Sequence, residues 1–420
     1  MKIAFISQPG HAVLPPAGSL EIWTKEVAAR LAESHEVVIY ASAVSGAPTR
    51  KRDGAEYRFV EHGVDSRLAR MRVLWRALPA ERAFFSSPMY QLLYWIQVAR
   101  DIRRRGISAV HVYNYSQALP IIRRLNPHAT IAIHMQCEWL TQLHRRTIDR
   151  RLRHADVIIG CSEHITEPIR QRFPHHAARC RTIYNGVDID ASEERKDGGD
   201  STVALLHVGR ISPEKGHHLL VEALNELVDE HPELRMIFVG EESPVPAEMA
   251  VAISPDPLVR ELARFYDRSY LEQLRSAMSP AVTERTELSG RRVDHDRVAE
   301  YYREADIFVF PSIFEAFPIP PIEAMAAGLP VIAARAGGAV ESVIDGETGI
   351  LVERDDSRAL ARAIAELAAD PDRRASMGEA GRARAARHFS WASVTGDVER
   401  ALAGGTQPDG RPSHEADTAA

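Results

Sequence analysis

The chain has only three cysteines in 420 residues: Cys137, Cys161 and Cys180. Their number is odd and their spacing suits no metal site. That excludes a disulfide framework and points to a reducing, cytoplasmic setting. Long apolar runs are also missing. LLYWIQVA (92–99) is among the longest and falls far short of the ~20 residues that a membrane span needs. The opening MKIAFISQPG has one lysine and four apolar residues before polar, Pro and Gly positions, and is expected to be a first strand rather than a signal peptide. Neither half shows G-x-G-x-x-G after its first strand, which disfavours hydride transfer from a dinucleotide. Charge is not strongly of one sign, at -6 net, and no nucleic-acid partner is expected.

What is present is ordinary globular composition, 45% apolar and 26% charged, which argues against wholesale disorder. The length exceeds what one hydrophobic core usually serves, so two domains are expected. Charge is divided unevenly between them. Residues 1–185 carry 27 Lys and Arg against 15 Asp and Glu, and residues 186–420 carry 25 against 43. A cationic first half suits an anionic partner; a drift of surface charge between two domains is the plainer reading.

Short apolar strands alternate with helices. KIAFIS (2–7), HEVVIYAS (35–42), ISAVHVYN (107–114), TIAIHM (130–135), ADVIIGCS (155–162) and RTIYNGV (181–187) read as strands. LEIWTKEVAARLAE (20–33) reads as a helix with Ser19 as its N-cap. Such alternation implies a parallel sheet covered on both faces. Segment 66–105 mixes Arg67, Arg70, Arg72, Arg76 and Arg82 with large apolar residues such as Trp75, Phe84, Tyr94 and Trp95. It admits two readings, a membrane-facing amphipathic stretch or a helical pair packed on the sheet with its arginines in water. The polar stretch ASEERKDGGDS (191–201) reads as a linker. A second series follows, with strands in TVALLHVG (202–209), RMIFVG (235–240), ADIFVF (305–310) and PVIAA (330–334). The expected division is an α/β domain over 1–190 and another over 191–385 with an insertion at about 241–290. A helix over 386–402 should return to the first domain, and 403–420 should be a disordered tail. In open parallel sheets, ligands sit at the carboxyl ends of strands, here facing a cleft between domains.

Three loops at such ends carry chemistry. In VGRISPEKG (208–216), Arg210 and Lys215 stand five apart around a proline turn. The pair suits a diphosphate, or it is two solvated cations near Glu214. PSIFEAFPIPPIEAMAAGLP (311–330) places Glu315 and Glu323 eight apart, with Pro318, Pro320 and Pro321 between them. A helix beginning around 319–321 would tolerate proline in its first turn and offer N–H groups to an anion. Glu323 in that first turn either complements the helix dipole or accepts hydrogen bonds from vicinal hydroxyls, as a carboxylate does with a ribose. In AGGAVE (336–341), Gly337 and Gly338 permit close backbone approach.

The order VGR…PEKG, ADIFVFPSIFEAFPIPPIEAMAAGLPV, AGGAVESVIDGETGILV and HFSW (388–391) resembles the retaining glycosyltransferases of family 4. The E-x7-E spacing lies in its proper context, and the likeness covers nearly the whole second domain. It implies the GT-B fold, two Rossmann-like domains, with the first holding the acceptor and the second a nucleotide sugar, most often a UDP-sugar. Arg210 and Lys215 would then hold the diphosphate, Glu323 the ribose, and Glu315 would lie beside the donor sugar. His134 would correspond to the family's histidine near the transferring sugar. Gly18 and Ser19 would face the diphosphate from the first domain. Gly209, Arg291, Ala316, Phe317, Pro318 and Ile319 would complete the donor site. The family reads E-G-F-G-L-P where this chain reads E-A-F-P-I-P. Pro318 therefore lacks the N–H that the glycine would offer to a sugar hydroxyl.

The implied reaction is front-face transfer with the leaving phosphate taking the acceptor's proton, and no cofactor or metal is expected. The D-x-D of Asp188–Asp190 reads as a loop cap at the domain link. A nucleotide-sugar epimerase and a non-catalytic nucleotide-sugar binder remain as alternatives. The acceptor is open between a lipid or polysaccharide intermediate at an anionic membrane surface, which RRTIDRRLR (145–153) would suit, and a small molecule such as a cyclitol. Monomer and homodimer are both compatible with the chain.

Overall fold

The computed structural model describes residues 1–9, 18–43, 49–61, 65, 80–189, 202–244, 246–247, 251–252, 254–290 and 295–404. The linker read at 191–201, residue 291 and the tail from 405 lie outside them, as does 66–79. The chain forms two compact units, Met1–Asn185 joined by a segment beginning at Trp391, and Gly186–Ser390. The division therefore falls a few residues before the polar linker.

The first unit has strands β1 (Lys2–Ile6), β2 (Glu36–Ala43), β3 (Arg50–Arg52), β4 (Ala55–Glu61), β5 (Ala109–Tyr113), β6 (Thr130–Met135), β7 (Val157–Gly160) and β8 (Cys180–Thr182). Their order in the sheet is β3-β4-β2-β1-β5-β6-β7-β8, parallel throughout except for the β3–β4 hairpin. The helix Ser19–Leu31 packs Trp23, Val27, Ala28 and Leu31 into a core shared with Ile3, Phe5 and Ile39. Trp391, Val394 and Val398 of the helix Trp391–Leu402 fill the same core. Segment 92–105 is the helix Leu92–Arg105, with Tyr94, Trp95, Val98, Ala99 and Ile102 buried and Arg103, Arg104 and Arg105 in the last turn. For these residues the packed reading is the correct one.

The second unit contains β9 (Val203–Val208), β10 (Leu234–Val239), β11 (Thr286–Leu288), β12 (Ile307–Phe310), β13 (Val331–Ala334) and β14 (Gly349–Val352). The order is β11-β10-β9-β12-β13-β14, and every pairing is parallel. The stretch read as an insertion is in part an ordinary crossover. Its helices Pro257–Glu261, Tyr270–Ala277 and Pro280–Glu284 lead into β11, which pairs with β10 at the sheet's edge.

In this order the direction of winding reverses between β9 and β12. That switch point leaves a crevice at the strands' carboxyl ends. The loops after β9, β12 and β13 are therefore neighbours. Gly216 joins the first two. It has φ +72°, and a Cβ there would lie 2.1 Å from the Pro311 carbonyl oxygen.

Several histidines are buried in these cores. His134 and His218 are pushed down to about 3 and His207 to about 4, in each case mainly by burial. His111 and His217 are lowered well below their usual range, again mainly by burial. All are neutral when folded and free to take a proton when unfolded. The unfolded chain then binds more protons between about pH 3 and about 6.5, so stability rises with pH across that window. Two outcomes follow. Thermal melts should fall steadily as pH drops from 7 to 5, by up to about 1.4 kcal/mol per pH unit for each such histidine. His207→Phe should flatten that slope, whereas a melting temperature constant over the range would contradict it. Gly216→Ala should destabilise the second unit by about 2–3 kcal/mol in denaturant titration.

Candidate active site

The predicted residues fall into two groups, one in each unit. In the second unit, Lys215 Nζ donates to Glu315 Oε1, which also accepts from Ser312 Oγ at 2.8 Å. Only 16% of the lysine side chain and 9% of the glutamate side chain are exposed. The ammonium also lies 5.6 Å from the centre of the Phe310 ring. Arg210 is more open, at 44% side-chain exposure, and donates to Glu214 Oε1 at 3.1 Å and to the Ser243 carbonyl at 3.1 Å. Glu214 is buried and accepts from Ser212 Oγ as well. Each cation thus has its own carboxylate. Arg210 is partly in water and Lys215 largely is not.

Glu323 differs from its expected place. The helix Ile319–Ala326 has Pro318 as its cap, so Glu323 is the fifth helical residue and lies past the first turn. A dipole role is correspondingly weak, because that effect fades within one turn. Its Oε2 accepts from Tyr302 Oη at 2.8 Å. The helix start is also poorer in donors than a usual one. Of positions 318–321, three are proline, and Ile319 alone has an N–H.

The turn between the glutamates is braced from two sides. Gly338 approaches so closely that a Cβ would meet the Ala316 carbonyl oxygen at 2.4 Å and Phe317 Cα at 3.1 Å. Any larger residue there would push the turn away. Phe317 packs with its ring centre 5.6 Å from that of Phe389, the buried phenylalanine of HFSW. Gly209 closes β9 by donating its N–H to the Val239 carbonyl at 3.0 Å. Arg291 lies outside the described residues.

In the first unit, Gly18 is the N-cap of the helix Ser19–Leu31, and Ser19 is its first helical residue. The cap is made without a hydroxyl. Glu21, three residues on, folds back until a Cβ at Gly18 would lie 3.0 Å from its Oε2, the sense of a capping box. His134 is the last but one residue of β6 and is fully buried. Its Nδ1 is 3.2 Å from His111 Nε2, and its Nε2 is 3.2 Å from Gln136 Nε2. Gln136 in turn donates to Asn185 Oδ1 at 2.9 Å, and its N–H meets Asn114 Oδ1 at 2.7 Å. Trp23 lies edge-on to His134 at 4.9 Å. The histidine is therefore a neutral, packed member of a polar track, and Gln136 is the track's partly exposed end.

Sequence reasoning missed Glu214, Ser312, Tyr302, Gln136 and Asn185 as parts of these sites. Glu214, Ser312 and Asn185 lay within stretches quoted above, VGRISPEKG, PSIFEAFPIPPIEAMAAGLP and RTIYNGV. Nothing local marked Tyr302 or Gln136. Among the described residues, one trio could hold a metal ion, Asp149, His175 and His176. Arg179, however, donates to His176 Nδ1, which leaves the proton on Nε2, the nitrogen facing Asp149. Asp149 also pairs with Arg153 and His175, so the trio acts as an ion-pair hub.

Comparison with known proteins agrees with this layout. The family model described as Glycosyltransferase Family 4 matches residues 20–191, and that described as Glycosyl transferases group 1 matches residues 189–384. The chain is 29% identical to D-inositol 3-phosphate glycosyltransferase 2 of Catenulispora acidiphila, over 94% of this chain and 91% of that protein. It is 26% identical to the GDP-mannose-dependent alpha-(1-6)-phosphatidylinositol monomannoside mannosyltransferase of Mycolicibacterium smegmatis, over 93% and 96%. Among solved structures, sucrose-phosphate synthase from Thermosynechococcus elongatus is similar with a TM-score of 0.71 at 22% identity, covering 96% of this chain and 98% of that one. HepE of Anabaena, in complex with UDP and glucose, has a TM-score of 0.70 at 21% identity, covering 96% and 99%. These likenesses carry the GT-B fold. The chain belongs to the family 4 glycosyltransferases and is an enzyme of that class.

Proposed function

We propose that this enzyme moves a glycosyl group from a nucleoside diphosphate sugar to a hydroxyl of an anionic polyol or lipid, with retention and without a metal. The observation that carries the reading is that Arg210 and Lys215 follow β9, Glu315 follows β12 and Glu323 lies on the helix after it, all at the switch point of one sheet, with Lys215 paired to Glu315. Arg210 and Lys215 are the groups for the diphosphate, whose charge grows as the sugar C1–oxygen bond breaks. Glu323 takes the ribose hydroxyls. The acceptor oxygen bonds C1 on the face that the phosphate leaves, and its proton passes to the departing phosphate oxygen. His134, buried and neutral, shapes the sugar's surroundings through Gln136 rather than acting as an acid.

A UDP-sugar is the first donor to try, and GDP-mannose the second, because it appears in the name of the mycobacterial relative. The anionic acceptor rests on the cationic excess of residues 1–185 and on the exposed arginines Arg145, Arg146, Arg150 and Arg153. Both relatives named above act, by their names, on phosphorylated inositols. No helix among the described residues is long and apolar enough to cross a membrane. In this reading a lipid acceptor is met at the membrane surface, on the cytoplasmic side.

The test is nucleotide release from UDP-, GDP- and ADP-sugars in EDTA, with inositol phosphates or phosphatidylinositol vesicles as acceptors. One donor should turn over and give product of retained configuration by NMR. Glu323→Ala should raise donor KM roughly 10- to 100-fold, the worth of hydrogen bonds to a charged group. Arg210→Ala should lower kcat on the order of 100-fold. Inverted product, or sugar isomerisation with no acceptor, would sink the reading.

A further inference from the structure

Glu323 is useful to a ribose only if its carboxylate is held still, and the structure contains a device that holds it. Tyr302 lies on the helix His295–Glu304, one strand before the E-x7-E loop. Its ring is buried against Phe308, with centres 5.7 Å apart. Its hydroxyl reaches two groups of the helix Ile319–Ala326, Glu323 Oε2 at 2.8 Å and the Pro320 carbonyl at 3.3 Å. A phenol has one proton, and the shorter bond to the charged acceptor is the stronger claim on it. The Pro320 carbonyl is the alternative acceptor for that one proton and adds no second bond.

We propose that Tyr302 is a positioning residue for the donor's ribose, fixing one oxygen of Glu323 so that the carboxylate meets the vicinal hydroxyls in a single orientation. This rests on the reading of Glu323 given above. The phenol is suited to the task over the whole working range. Burial, and next the Glu323 charge, push its pKa well above the ordinary tyrosine value, so it remains a donor. The rigidity of its surroundings matters as much as the bond. A buried aromatic with one fixed polar tip loses little freedom on holding a partner.

The experiment is calorimetric binding of UDP and GDP to the full chain, each beside its 2′,3′-dideoxy analogue, for wild type, Tyr302→Phe, Glu323→Gln and the double variant. Tyr302→Phe keeps the ring, and the dideoxy analogue reports whether the site is still folded. The expected result is that Glu323→Gln weakens the intact nucleotide at least 10-fold and the dideoxy analogue not at all. Tyr302→Phe should weaken the intact nucleotide about 3- to 10-fold, leave the analogue unchanged, and add nothing in the Glu323→Gln background. In turnover it should raise donor KM with kcat nearly unchanged. If Glu323→Gln discriminates between the two nucleotides but Tyr302→Phe does not, or weakens both equally, the positioning role is overturned and the donor reading stands. If Glu323→Gln itself fails to discriminate, the donor reading falls and this inference with it.

Discussion

An ion pair largely hidden from water, Lys215 with Glu315, ties the loop after β9 to the loop after β12. The rest of the second unit's site is arranged around it. Gly216 lets the first loop press against Pro311 of the second, and Ser312 adds its hydroxyl to the same glutamate oxygen. Breaking such a pair by removing one partner leaves a charge buried alone, at a cost of about 3–5 kcal/mol. The pair therefore holds a cation in place at a sheet switch point before any ligand arrives. Such preorganisation is what the proposed transfer requires for its leaving group.

The turn between the two glutamates is stiff for identifiable reasons. Three prolines limit its backbone, Gly338 lets another loop lean on Ala316 and Phe317, and Phe389 fills the space beneath Phe317. The same prolines strip the helix start of donors, so the proposed diphosphate site leans on side-chain cations more than on backbone N–H groups. In the first unit the polar track from His111 through His134 and Gln136 to Asn185 is a different solution. Burial keeps its histidines neutral, Asn185 is buried as well, and Gln136 is the partly exposed member of the track.

Much of this fold was legible in the sequence because continuous apolar strands alternating with helices leave few topologies. What escaped notice was polar or small. The hairpin of β3 and β4 begins with the wholly exposed Arg50–Arg52, so no apolar run marks it, although Asp53–Gly54 is a turn signal. The edge strand Thr286–Leu288 is half polar and was absorbed into an apparent insertion. The strand read in RTIYNGV starts one residue earlier and is shorter, Cys180–Thr182. At the site, the cations and glutamates were found by motif. Their pairing was not, because Lys215 and Glu315 are 100 residues apart. Tyr302 and Gln136 act through contacts that no periodicity encodes. Ser19 is the first helical residue rather than the cap, because the helix begins one residue earlier than its hydroxyl suggested, with the extended Gly18 at the capping position.

The most direct test of the central claim is a crystal structure of the protein with the nucleoside diphosphate that it binds. The account predicts the diphosphate within hydrogen-bonding distance of Arg210 and Lys215, and the ribose hydroxyls on Glu323. A nucleotide seated away from the carboxyl ends of β9 and β12, with Lys215 and Glu323 untouched, would contradict it.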